Sequence, residues 1–510
     1  MFVFITSSFL TNVVAVLVTT IAIVYAFFIW SFQYWKRKGV PYLEPKSIPF
    51  GNVPNPLTSK MSFGENARQL YQEAKTRGLK HCGIFIMSKP TWFVLDLDLL
   101  RHVFTKDFQF FTDRGLFVNE KDDPISAHLF ALGGVKWKHL RSKLSPTFTS
   151  GKMKMMFQTM VDCGLILEKY IEEDVANKKV VDIKDVLGRF STDIIGSCAF
   201  GLECNSFKEP NSLFRVYGKK VFDPSIFDLL KGFFSVLFPN LAKALGTHAV
   251  PSDISNFYTK VVEDTVSYRE KNKVTRNDFL QLLIELKNKT TEVAGDGKSL
   301  TMDEIVAQSF IFFIAGFETS STTMTFALFE LATHPEIQDK VRTEIQDVLS
   351  RHDNKITYDS INELVYMKQV IDETLRKYPP VAVITREAVA DYKVPGDDTV
   401  VEKGTLVFLP VIGVHYDEDY YENPEAFDPD RFSPENKHKR HPYSHLPFGE
   451  GPRVCIGERF GIMQTKVGLT ALLKNHRITL NEKTKVPLVM SPRSQVTSVD
   501  EGIWLNVRKL

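Results

Sequence analysis

The sequence predicts a mainly α fold with small β-sheets: one large domain behind an N-terminal membrane anchor. Three features of the 510-residue chain lead there. Apolar residues recur at helical spacing over most of its length. Strand-like alternation of Val, Ile, Thr and aromatic residues between Gly or Pro turns is confined to positions 83–97 and 388–409 and to a stretch near the C-terminus. Residues 1–35 carry no charged side chain at all.

The first element is the apolar run from Val13 to Trp30, close to the ~20 residues that span a bilayer core. It lacks the basic start and small-residue cleavage site of a removable signal peptide, so it reads as a retained helix. Lys36, Arg37 and Lys38 follow at once. Positive charge is kept on the cytosolic side, which places residues 1–35 as a single-pass anchor in the endoplasmic reticulum membrane with the C-terminal bulk facing the cytosol. Prolines at 41, 45, 49, 54 and 56 forbid helix and make residues 36–60 a basic, proline-rich hinge. Residues 61–510 form the globular domain, since no low-complexity linker divides them. Within it the longest helix is the best defined: Thr301 and Glu304 make a capping box, the run continues to about Thr333, and Pro335 stops it. At 1.5 Å per residue such a helix is roughly 50 Å long and crosses the domain. The polar stretch 287–298 before it reads as a loop, and its Asn288-Lys289-Thr290 sequon is idle under cytosolic topology.

Composition excludes several classes. Sixty-three Lys and Arg against 61 Asp and Glu give a net charge of +2, too small for a global nucleic-acid-binding field. Ser150-Gly151-Lys152 is not a phosphate loop, because Pro146 stands where that motif needs glycine. No Gly-rich dinucleotide fingerprint follows a strand, so a redox reaction here must draw electrons from another protein. Five cysteines, at 82, 163, 198, 204 and 455, are too few and too scattered for a disulfide framework and suit a reducing compartment.

Cys455 carries the chemistry. In Phe448-Gly449-Glu450-Gly451-Pro452-Arg453-Val454-Cys455-Ile456-Gly457 a thiolate could ligate a haem iron, Arg453 could meet a haem propionate, Phe448 could shield the sulfur, and Gly451 and Gly457 could turn the backbone under a flat macrocycle. The helical run from Glu458 to Leu473 places Cys455 just ahead of a helix N-terminus, which favours a charged sulfur. A buried structural cysteine is the bland alternative for the residue taken alone.

This decapeptide matches F-x-x-G-x-R-x-C-x-G, and the chain thereby resembles the cytochrome P450 superfamily of haem-thiolate monooxygenases. Trp137 to Arg141 is similar to that family's W-x-x-x-R, Ala315 to Ser320 to its oxygen-activating helix turn, Glu373 to Arg376 to E-x-x-R, and Pro429-Asp430-Arg431-Phe432 to P-E-R-F with Asp in place of Glu. The stretch Asp193 to Gly201 and the 40 phenylalanines point toward the insect family-6 type. The resemblance implies heme b, iron protoporphyrin IX with Cys455 as axial thiolate and metal ligand, its propionates held by Trp137, Arg141, Arg386 and Arg453, with Arg114 a weaker candidate. It implies that Thr319 hydrogen-bonds dioxygen while Glu318 relays protons from solvent, and that Gly316 weakens the helix locally. Glu373 and Arg376, i, i+3 on one helix, can pair, and although a lone pair of this kind is usually a solvated surface contact, the company of the other motifs favours a buried structural cluster completed by Arg431. Substrate contacts fall on Phe110, Phe111, Phe117, Phe312, Phe313 and Ala315, with Phe310 nearby, about half of them equally well read as core. The segment 227–238 either faces the membrane or is plain helix core.

The activity this implies inserts one oxygen atom from O₂ into a lipophilic small molecule with NADPH-derived electrons, in detoxification of plant toxins or insecticides. The partners implied are NADPH-cytochrome P450 reductase and cytochrome b5, docking on Lys138, Lys143, Lys437, Lys439 and Arg440. Alternatives are a hydroxylase of an endogenous steroid or lipid hormone, a haem-thiolate isomerase that needs no reductase, and a non-enzymatic membrane haem- or lipid-binding protein.

Overall fold

The computed structural model describes residues 2–55, 58–177, 180–288 and 299–510. Residues 289–298, with most of the expected loop and two residues of the sequon, lie outside them, as does Pro56. The mainly α fold with small sheets is what forms. The helix Met302–Thr333 opens on the expected capping box: Glu304 N–H donates to Thr301 Oγ1 at 3.2 Å, and Thr301 N–H to Glu304 Oε2 at 2.8 Å. The next helix starts at Pro335, where the ring cannot continue the preceding hydrogen-bond ladder.

Around this helix lies the larger apolar core, built mainly from Gly134–Leu144, Ser150–Ala176, Ile183–Ile195, Val365–Lys377 and Glu458–Leu473. A second core backs a four-stranded sheet in the order His81–Ile86, Lys89–Val94, Leu406–Leu409, Ile384–Glu387. The outer pairs are antiparallel and the central pair parallel. Arg386 lies opposite Val407 in this sheet, and it is fully buried with Ile384 on the same face. A three-stranded sheet at the C-terminus orders Val181–Asp182, Trp504–Lys509 and His476–Leu480.

The helix Phe2–Ser31 contains a span, Thr11–Ser31, with mean hydropathy 2.5 and an exposed apolar surface. Its end turns inward. Phe32 meets Phe85 at 5.2 Å, and Trp35 is buried with its indole N–H donating to Ile84 O at 3.0 Å. A Cβ at Gly83 would fall 2.3 Å from the Trp35 ring, so the strand needs glycine there. Leu43 N–H donates to Gly83 O and Gly83 N–H to Pro41 O, which lays the proline-rich segment along the sheet edge. Proline suits this position, since only alternate N–H groups are wanted by the ladder.

Candidate active site

Between the long helix and the cysteine loop lies a cavity of about 310 Å³. Its wall contains Cys455, Phe448, Arg453, Trp137, Arg141, Arg386, Phe312, Ala315 and Thr319, drawn from segments more than 300 residues apart. The cysteine loop is shaped by two left-handed glycines, Gly449 (φ 70°) and Gly451 (φ 73°). A Cβ on Gly451 would sit 1.9 Å from Phe104 O, so no other residue fits. Gly457 does not turn the chain as expected: its φ is −94° and it caps the helix Glu458–Leu473. Cys455 N–H donates to Phe448 O at 3.0 Å and Gly449 N–H to Leu446 O at 3.1 Å, which closes the loop on itself.

The Cys455 sulfur opens onto the cavity. Burial away from bulk water raises its thiol above the ordinary range, outweighing the Gly457 N–H and the charges of Arg141 and Arg114 that pull it down. The Gly457 N–H at the helix start pulls in the direction the sequence reading expects, favouring the charged sulfur, and burial opposes it. The charge of a bound metal is what deprotonates such a ligand.

The arginines divide into two kinds. Arg453 is largely a strut: its Nε donates to Thr112 O at 2.8 Å, one terminal nitrogen to Leu132 O at 2.7 Å and the other to Leu129 O at 3.4 Å, and its plane lies 3.9 Å over Trp137. Arg386 and Arg114 instead keep buried Nε groups with no partner. Burial lowers the Arg386 guanidinium well below its ordinary value, and Arg114 and Arg453 add to this by repulsion. None of the described residues on the cavity wall is acidic. Buried, mutually repelling cations call for an anion, and a flat group bearing two carboxylates beside a soft thiol answers both demands. The residues present thus fit haem. Arg114, the weaker candidate from sequence, joins Arg386 as a cation with donors to spare.

Across the cavity Thr319 Oγ1 donates to Ala315 O at 2.5 Å, a back-bond within the helix. The turn stays closed, for Met302–Thr333 is unbroken α-helix. Gly316 has another purpose: a Cβ there would come 2.6 Å from Ile195 Cδ1, so glycine lets the helix Ile183–Ile195 approach. Glu318 is half-buried and not on the cavity wall. Desolvation raises its carboxyl, countered by the charges of Lys184, Lys219 and Arg215.

Of the aromatic residues expected at the substrate, Phe312 reaches the cavity, where it meets Phe279 at 4.2 Å and Phe148 at 5.2 Å. Phe110, Phe111, Phe117 and Phe313 are not on the wall. Phe110 and Phe111 close on Tyr392 at 5.3 and 4.8 Å, and Phe111 also stacks on Trp92. Phe313 points away among Phe200, Phe214, Tyr258 and Phe317, and Phe310 joins Tyr258. Adjacent residues on a helix point about 100° apart, so Phe312 and Phe313 could not both face the cavity. The wall also includes Phe130, Phe148, Phe279 and Val381, none of which stood out in the sequence, and Ile195 and Cys198 from the Asp193–Gly201 stretch.

Glu373 and Arg376 are fully buried in a two-pronged pair, Nε to Oε2 at 2.7 Å and a terminal nitrogen to Oε1 at 2.8 Å. Arg431 approaches Glu373 at 3.5 Å. Asp430 is exposed and pairs with Lys340, so the Asp-for-Glu departure leaves the buried cluster untouched.

A buried polar clamp beneath a thiol-bearing loop, unpaired cations beside it and an alcohol on the facing helix define a haem-binding oxidoreductase. The cytochrome P450 family pattern matches residues 46–506. Among similar proteins are probable cytochrome P450 6a14 of Drosophila melanogaster, 42% identical over 98% of this chain and 99% of its own length, and cytochrome P450 6A1 of Musca domestica, 44% identical over 94% of each. Cytochrome P450 6k1 of Blattella germanica is 40% identical over 99% of this chain and 98% of its own. The chain belongs to the cytochrome P450 family. It is a monooxygenase of the insect family-6 type, with haem and a cysteine thiolate on the iron as its cofactor.

Proposed function

We propose that Cys455 is the iron ligand and that the enzyme, anchored in the endoplasmic reticulum membrane by its first helix, hydroxylates lipophilic foreign compounds. The observation that carries this is the cavity itself: the one cysteine of the loop on one side, Ala315 and Thr319 on the other, and cations without acids along the edge. Haem, when bound, supplies activation of dioxygen and transfer of one oxygen atom. Arg114, Arg141 and Arg386 would hold its carboxylates, joined by the N–H groups of Arg453 that its bonds to Thr112, Leu129 and Leu132 leave free, with Trp137 beneath Arg453. Thr319 offers a hydroxyl proton at Oγ1 once its bond to Ala315 O is released, and Glu318 exchanges protons between the polar group around Arg215 and the cavity.

Aromatic and aliphatic side chains make up most of the remaining wall, which orients by shape and excludes water. With few fixed polar anchors, such a wall favours a range of apolar compounds over one hydroxylated hormone. The exposed Phe227, Leu230 and Phe238 around the helix Ile226–Leu237 support this reading, since such an apolar surface suits contact with a membrane that dissolves these compounds. Electrons come from NADPH-cytochrome P450 reductase, with cytochrome b5 as a second donor. The docking face includes exposed Lys138, Lys437 and Lys439, together with half-buried Lys143 and Arg440.

The test is direct. Reduced protein with carbon monoxide shows the red-shifted Soret band of thiolate ligation, and Cys455→His loses it; retention of that band in the variant would sink the assignment. Membranes containing the chain and a reductase, given a panel of lipophilic compounds, yield several oxygenated products by mass spectrometry. A single steroid product instead would favour the biosynthetic reading.

A further inference from the structure

We propose that His415 is a positioning residue for the cysteine loop: its imidazole clasps Leu446, at the root of that loop, to the helix bearing the Glu373–Arg376 pair. The inference deepens the reading of Cys455 as ligand and rests on it. His415 ends the short helix Val411–His415 and is fully buried. Its Nδ1 lies 3.0 Å from Arg376 O, while an Arg376 terminal nitrogen donates to His415 O at 2.9 Å, so the two residues hold each other reciprocally. Leu446 N–H points at His415 Nε2 from 2.9 Å. A carbonyl can only accept and an amide N–H can only donate, which fixes the tautomer: Nδ1 carries the proton and Nε2 is the acceptor.

From there the connection continues through backbone. Leu446 O accepts from Gly449 N–H, and Phe448 O accepts from Cys455 N–H. The same segment is tied by Tyr421, which donates to Ser444 O at 3.0 Å, and by His445, whose Nε2 lies 3.2 Å from Asp372 O. The His445 ring stacks on His415 at 5.4 Å. Of these ties, the bond to His415 is the one that fails when a ring gains a proton, because imidazolium has no acceptor. Around the two rings stand Arg376 with its partner Glu373, Tyr421, and, toward His445, Arg440, Lys368 and Asp372. Burial first, then the Arg376 charge, push the His415 imidazole down to about 3, against ~6.5 in an open chain. The opened loop therefore binds the extra proton. The clasp is complete above about pH 6.5, and its contribution falls as pH drops toward 3.

Two variants separate the two ring nitrogens. Asn places its amide near Nδ1 and leaves Leu446 without an acceptor; Gln can place its Oε1 near Nε2 and keeps it. In full-length holoprotein, His415→Asn speeds amide exchange at Leu446 and Gly449 roughly tenfold, the worth of a buried hydrogen bond, and its carbon monoxide complex loses the thiolate-type band at a higher pH. His415→Gln stays close to the wild type in both. Equal behaviour of Asn and Gln overturns the proposal. If the Asn variant does not accumulate, wild-type exchange at Leu446 between pH 7 and 5, corrected for intrinsic rates, decides. Protection that falls with pH, and falls less in His415→Gln, supports the clasp, and protection independent of pH overturns it. Were Cys455 not the ligand, the exchange difference between Asn and Gln would persist while the carbon monoxide spectra matched.

Discussion

Beneath the cavity the backbone is placed by polar contacts. Glu373 and Arg376 share two hydrogen bonds at zero exposure, Arg376 reaches on to His415 O and Ala426 O, Glu373 accepts Asp428 N–H, and the cysteine loop hangs from these anchors. Above it the wall is made largely of Phe148, Ile195, Phe279 and Phe312, held by apolar packing, with Phe130 beneath the Arg114 guanidinium at 4.1 Å. The difference lies in tolerance. Hydrogen bonds at low dielectric fail when one partner is lost, whereas an apolar wall accepts changes of shape at modest cost. A fixed sulfur position and an adaptable substrate wall follow from the two kinds of construction.

The sharpest way to break this comparison is to remove one half of the buried pair. Arg376→Ala leaves Glu373 uncompensated in a site whose burial already raises its carboxyl, and costs about 3–5 kcal/mol. Little holoprotein should accumulate, measured as haem absorbance per folded chain; normal haem content would refute the structural role of the pair. A second lever on the lower face is Arg386→Leu. Removing an unpaired buried cation makes the haem-free chain more stable, while haem escapes faster by about tenfold or more, the worth of a charged hydrogen bond. Thermal melts of the haem-free chain and haem transfer to an acceptor protein should move in opposite senses, and movement in the same sense would mean Arg386 serves the sheet alone.

On the upper face, Phe279→Ala opens space beside Phe312 and costs about 3–4 kcal/mol at most, with the carbon monoxide spectrum unchanged. Product positions on a large substrate should shift; an unchanged product pattern would remove Phe279 from the substrate wall. Thr319→Ala lowers product per NADPH about five- to tenfold, the worth of one hydrogen bond, and releases peroxide instead. Unchanged coupling would make Thr319 an ordinary helix residue.

The smallest effect concerns pH. Burial raises the Glu318 carboxyl, so the folded chain holds its proton more tightly than the unfolded chain does. Its contribution is present below the unfolded value near 4.3 and is lost as pH rises through the folded one. Glu318→Gln should therefore melt higher than wild type at pH 8, with the gap closing toward pH 4. A gap that widens on acidification would contradict the burial.

The sequence alone determined what depends on neighbours in the chain: the uncharged span that suits a bilayer, the capping box and proline that bound the long helix, and a loop whose Gly, Arg and Cys spacing admits few other uses. It also marked Arg386 and the Glu373–Arg376 pair through motif spacing. It could not divide Phe312 from Phe313, since apolar periodicity is the same whether a side chain faces a core or a cavity. Nor could it tell that Gly316 makes room for Ile195, that Arg453 spends its donors on backbone carbonyls, or that His415 bridges positions 376 and 446. Those facts depend on which surfaces meet across hundreds of residues. Burial, which sets the raised Cys455 thiol and the unpaired Arg114 and Arg386, exists only once those surfaces have closed.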